Sequence, residues 1–97
     1  MPRPKQSKME IYSDILIAIK LELIDGEAKP TRIQAKNNLA YDKLTRYFGE
    51  LEGRKMITTN PLGLTALGRE FLRDYGRIKG FLDEMGLKYL AGHGVGS

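Results

Sequence analysis

Apolar residues recur along this chain with a helical period in several stretches and with an extended pattern in one. Ile11, Ile15, Ile19 and Leu23 fall every four residues, with Tyr12 and Leu16 beside them, which predicts a first helix with one broad buried face. Ser7 and Glu10 form an S-x-x-E capping box ahead of it, each side chain satisfying a backbone N–H that a helix start leaves unpaired, and Asp25-Gly26 closes it. Pro30 and Thr31 open a short second helix, with Thr31 and Gln34 as a further capping box and Pro30 where a missing N–H costs little. It ends near Asn37-Asn38, because asparagine tolerates the left-handed conformation that stops helices, and Leu39 tucks beneath the turn. A third helix is expected from Tyr41 to Arg54, burying Leu44, Phe48 and Leu51 with Tyr47 at the flank of that face.

Met56 to Thr59 favour extended structure, Asn60-Pro61-Leu62-Gly63 reads as a turn, and Leu64 and Thr65 return as a second short strand. Thr65 then caps a last helix in which Phe71, Tyr75, Ile78, Leu82, Met85 and Tyr89 are spaced alternately four and three apart, a heptad seam. Gly68, Gly76, Gly80 and Gly86 each disfavour a helix interior by roughly 1 kcal/mol, so this seam is marginal and Gly86 is a natural end for it. A helix from Ala66 to Leu90 would run about 37 Å at 1.5 Å per residue. That outruns one small domain, and the seam is expected to find its cover in a second copy of the chain. The expected division is a flexible basic arm at residues 1–7, a globular domain at 8–68, a dimerisation helix at 69–90 and a disordered tail at 91–97.

Composition narrows the chemistry. The 97 residues include no cysteine and one histidine, His93, which excludes a disulfide framework, a structural zinc site and a cysteine nucleophile on residue supply. His93 has no neighbouring ligand, and Asp83 and Glu84 are adjacent, so on a helix they point apart and make a poor catalytic pair. No enzyme site, metal or cofactor is expected. The longest apolar run, Ile15 to Ile19, is far shorter than the ~20 residues of a membrane span, so the expectation is a soluble cytoplasmic protein without a membrane partner.

The formal charge of +4 is mild, but its distribution is uneven. Arg3, Lys5 and Lys8 make the first eight residues basic. The first helix then carries Lys20 against Glu10, Asp14 and Glu22, with Asp25 and Glu27 just beyond it. From Lys29 to Lys55 seven bases meet three acids. The second basic block coincides with the second and third helices.

Helix, short helix, tight turn, helix, hairpin, helix is the winged-helix arrangement: a mainly α fold with a small β-hairpin, here extended by a long C-terminal helix that forms a coiled coil. In it the third helix enters the major groove of double-stranded DNA. Lys43 and Arg46, three apart on one surface, are its candidate ligands, with Thr45 between them and Tyr41 at the helix start. Arg32 and Lys36, four apart on the short helix, are expected to face the DNA backbone, and Lys29, Arg54 and Lys55 extend the basic perimeter. Thr59 and Asn60 at the wing tip are candidates for a weaker contact, since the tip lacks Lys and Arg; Arg3, Lys5 and Lys8 are candidates for a DNA-binding arm. The alternative reading of the same surface is a protein–protein interaction module for an acidic partner.

The runs Thr31-Arg32-Ile33, Asn38-Leu39-Ala40-Tyr41 with Leu44 and Tyr47, Gly53-Arg54-Lys55-Met56-Ile57 and Leu64-Thr65-Ala66-Leu67-Gly68-Arg69-Glu70-Phe71-Leu72 resemble the small archaeal winged-helix DNA-binding proteins of about ten kilodaltons. The resemblance spans residues 8 to 90. It implies a homodimer joined by an antiparallel coiled coil of the C-terminal helices, acting on the archaeal nucleoid or in transcription regulation. One departure is Ala40, where such proteins often have Ser before the tyrosine; Ala is a weaker N-cap by about 1 kcal/mol.

Overall fold

The computed structural model describes residues 7–91. The elements are α1 (Lys8–Ile24), α2 (Pro30–Asn37), α3 (Tyr41–Gly53), β1 (Ile57–Thr59), β2 (Leu62–Leu64) and α4 (Ala66–Gly86), followed by a π-helical turn (Leu87–Ala91). Residues 1–6, with Arg3 and Lys5, and residues 92–97, with His93, lie outside the described residues.

Each boundary has a local cause. The Ser7 capping box is formed in both directions, with Glu10 N–H donating to Ser7 Oγ and Ser7 N–H donating to the Glu10 carboxylate. Gly26, at φ 138°, takes the chain out of α1 through a backbone region closed to other residues. At α2 the expected Thr31–Gln34 capping box is absent. Pro30 at the first helical position makes Lys29 the N-cap, so Thr31 lies inside the helix, and Lys29 makes no side-chain cap. Asn38, at φ 52°, ends α2 in the left-handed conformation and turns the chain into α3.

Ile15, Leu16, Ile19, Ile33, Leu44 and Leu51 are fully buried, each contributing on the order of 1.5–3 kcal/mol of apolar burial. On α3 the expected roles of two aromatics are exchanged: Tyr47 is buried, edge-on to Tyr12 with ring centres 6.3 Å apart, whereas Phe48 is half-buried. Tyr47 can take the interior position because its ring has an aromatic edge to meet there.

The hairpin is tighter than its sequence suggests. Asn60-Pro61, joined by a cis peptide bond, is the whole turn, and Ile57 pairs with Leu64, Thr58 with Gly63 and Thr59 with Leu62. Leu62, expected in the turn, is a strand residue buried in the core. Thr65 Oγ1 caps α4 by accepting from Gly68 N–H, as expected. Gly68 is a requirement of the fold: a Cβ there would collide with the Met56 carbonyl, which already accepts from Thr65 N–H.

The helix is continuous through Gly76 and Gly80 to Gly86. Phe71 and Leu72, in its second turn, still pack on the core, while Ile78, Leu82 and Tyr89 are more than half exposed. The radius of gyration, 15.9 Å, exceeds the ~13 Å of a compact chain this long, and the molecule measures 54 Å along its longest axis because α4 projects from the body.

Candidate nucleic-acid interface

Leu44, Tyr47 and Leu51 fix α3 to the core, and a helix advances 3.6 residues per turn, so Asp42, Arg46, Gly49 and Gly53 form the middle of its outward face. Lys43, Glu50 and Arg54 flank that face on the side of α1. Tyr41, Thr45 and Glu52 flank it on the side of the hairpin. Ala40 supplies no side-chain cap; Asp42, in the first turn, places a negative charge beside the unpaired N–H groups.

The charges of α3 together with its C-cap Arg54 balance, with Asp42, Glu50 and Glu52 against Lys43, Arg46 and Arg54. What distinguishes them is engagement. Glu50 accepts a hydrogen bond of 2.6 Å from Tyr12 Oη and an ion pair of 3.4 Å from Lys8. The Tyr12 hydrogen bond, and after it Lys8, hold the Glu50 carboxyl below the usual carboxylate range. Lys8 is therefore the first residue of α1, fastened to α3, and does not belong to a free arm. Glu52 accepts from Thr59 Oγ1 at 2.8 Å, which ties the hairpin to α3, and Thr58 Oγ1 donates to the Pro61 carbonyl at 2.8 Å.

Among the cations, Arg46 lies over the Tyr47 ring at 5.2 Å and Arg54 over the Tyr12 ring at 5.9 Å. These contacts order the guanidinium groups while leaving their N–H donors available. Among the described residues Lys29, Lys43 and Lys55 are exposed and make no ion pair. Lys55, at φ 62°, stands in the left-handed turn between α3 and β1. Thr45 Oγ1 donates back to the Tyr41 carbonyl at 2.9 Å; Tyr41 and Asn60 are exposed.

Arg32 and Lys36, expected to face the DNA backbone, have partners within the fold. Both converge on Glu22 of α1, a carboxylate with 4% side-chain exposure, Arg32 at 3.3 Å and Lys36 at 3.4 Å. The two ion pairs close α2 onto α1, while the Arg32 and Lys36 side chains stay 61% and 42% exposed. Sequence reasoning missed Glu22, although it falls on the apolar stripe three residues after Ile19, with two cations four apart waiting on the next helix. It also missed Tyr12, Glu50 and Glu52, whose partners are distant in sequence.

Between α2, α3 and the hairpin lies an open cleft of about 320 Å³, lined by Pro30, Tyr41, Thr45, Phe48, Glu52 and Thr59 among others. Among the described residues no group of three or more His, Cys, Asp or Glu is placed to hold a metal ion. No described helix is long and apolar enough to cross a membrane. A family model described as winged helix-turn-helix matches residues 5–82. No curated protein matches the chain.

Proposed function

The chain belongs to the winged helix-turn-helix family, and from that premise we infer that it is a homodimeric protein that binds double-stranded DNA with α3 in the major groove. Proteins of this family are in general DNA-binding and not enzymes. The observation that carries the reading is the outer surface of α3, where Lys43 carries no ion pair and Arg46 is ordered on Tyr47, in the position of a recognition helix. Lys29 and Lys55 supply further unpaired charge at either end of that surface.

A fluorescence-anisotropy titration with short duplexes tests this. Binding is expected at low salt, falling as salt rises with a slope of about 0.9 per phosphate neutralised. Lys43→Ala combined with Arg46→Ala is expected to lower affinity at least about tenfold. Undetectable binding, or a double variant that binds like the parent, contradicts it. The role, transcriptional regulator or nucleoid-associated architectural protein, follows from the ratio of affinities for a selected operator and a random duplex.

The dimer is supported by α4. Ile78, Phe81, Leu82, Met85 and Tyr89 are 40% to 61% exposed on one protruding helix. An antiparallel pairing of two such helices sets the recognition helices apart, at least about one DNA turn, ~34 Å.

The balanced charge of α3 with its C-cap Arg54, and the cleft beside Tyr41 and Phe48, favour a second reading, a module that binds another protein. A protein ligand that stays bound against excess non-specific duplex would select it.

A further inference from the structure

Resting on the dimer reading, we infer that the last turns of one protomer, from Gly86 to Leu90, seat in a groove between α1 and α4 of a second copy of this chain. The groove has a volume of about 370 Å³ and is lined by Ile17 and Leu21 on one side and by Leu72, Tyr75 and Gly76 on the other, with Glu10, Ser13, Asp14, Lys20 and Lys79 completing its wall. Ile17 and Leu21 are 43% and 47% exposed, an apolar edge that nothing among the described residues covers. A Cβ on Gly76 would meet nothing within 4 Å, so the space continues down to the α4 backbone.

The occupant follows from the antiparallel pairing of α4 proposed above, with which the spacing of the stripe is compatible. Steps of four, three, four, three and four read the same from either end, so two antiparallel copies match at every position. Phe71 comes level with the partner's Tyr89, Tyr75 with the partner's Met85 and Ile78 with the partner's Leu82. This register also brings opposite charges within two residues of level on a shared flank: Glu70 and the partner's Lys88, Arg77 and the partner's Glu84, and Lys79 and the partner's Asp83.

The two-fold axis of such a pair makes each flank of one stripe face the same flank of the other. By helical rotation Leu72, Gly76 and Lys79 share a flank with Asp83 and Gly86, and the π-helical turn from Leu87 carries Leu90 on from the end of that flank. The partner's Gly86 therefore comes level with Asp74, between Leu72 and Gly76, and the partner's Leu90 follows it past Leu72, along the groove edge that Ile17 and Leu21 form. The stripe alone is narrow, whereas a stable interface covers about 800 Å² on each partner. The groove supplies apolar surface continuous with the stripe, on α1, a helix that the coil by itself would not touch.

The chain has no cysteine, so introduced cysteines have no competitors. A Leu90→Cys chain mixed with a Leu21→Cys chain under mild oxidation is expected to give at least ten times more mixed disulfide than the same chain mixed with Thr45→Cys. Light scattering on the same samples reports the mass. A dimer without that excess overturns the groove assignment and leaves the dimer standing, while a monomer overturns both.

Discussion

Helices α1 and α4 each carry an apolar stripe of helical period, but only one stripe is covered by its own chain. On α1, Ile15, Leu16 and Ile19 are sealed beneath α2, α3 and β2, whereas on the outer half of α4 Ile78, Leu82 and Tyr89 stand in solvent. The glycines divide in the same way: Gly68 sits where a Cβ would collide with Met56, while Gly76, Gly80 and Gly86 face open space. An apolar period tells which face of a helix is driven out of water; it does not tell which molecule covers it.

The widest separation is expected from truncating one leucine in each region. Leu44→Ala should lower unfolding free energy by about 2–5 kcal/mol in urea, through lost transfer energy and the cavity left behind. Leu82→Ala should leave the body intact and act through dimer dissociation, so its effect should depend on protein concentration. Equal, concentration-independent losses would erase the distinction. Next come the glycines. Gly68→Ala is expected to destabilise by about 1–3 kcal/mol by overpacking against Met56. Gly80→Ala should instead stabilise by up to about 1 kcal/mol, because it removes a helix-interior glycine with no steric obstacle. Thermal unfolding of the pair gives shifts of opposite sign if the two ends of α4 differ as described.

A further prediction concerns the charge held inside the body. Glu22→Gln should loosen α2 on α1, at a cost of about 1–3 kcal/mol, and release Arg32 and Lys36. DNA affinity should then rise and its salt slope steepen by up to about two units, if both side chains reach phosphates. An unchanged slope would show that they do not reach the DNA even when freed.

The smallest effect is at Glu50. Its folded pKa lies below the ordinary 4.5, so its contribution is present above that value and disappears as pH falls through the lowered pKa. Tyr12→Phe removes the largest cause, so it should lower stability near neutrality and flatten the acid limb of a stability–pH curve, the two curves converging at low pH where Glu50 is protonated.

Much of the body was legible because its determinants are local. Ser7 with Glu10, Asn38 and Thr65 mark helix ends through side chains within a few residues, and the structure bears them out. The misread points are those where a distant neighbour decides. Tyr47 rather than Phe48 is interior because Tyr12 is there, Leu62 is a strand residue because the core reaches under the hairpin, and Pro30 moves the α2 cap back to Lys29. The same limit applies to the interface. Lys43 and Arg46 were visible as an exposed pair, but the capture of Arg32 and Lys36 by Glu22, and of Lys8 by Glu50, depends on packing between helices that no spacing rule encodes.

The claim that joins both regions is that a second copy of the chain covers the outer half of α4. Sedimentation equilibrium at tens of micromolar tests it directly, on the parent and on Leu82→Glu. The parent is expected at twice the 10.9 kDa chain mass and the variant at the chain mass with its helical content unchanged. A parent that sediments as a strict monomer would contradict the account.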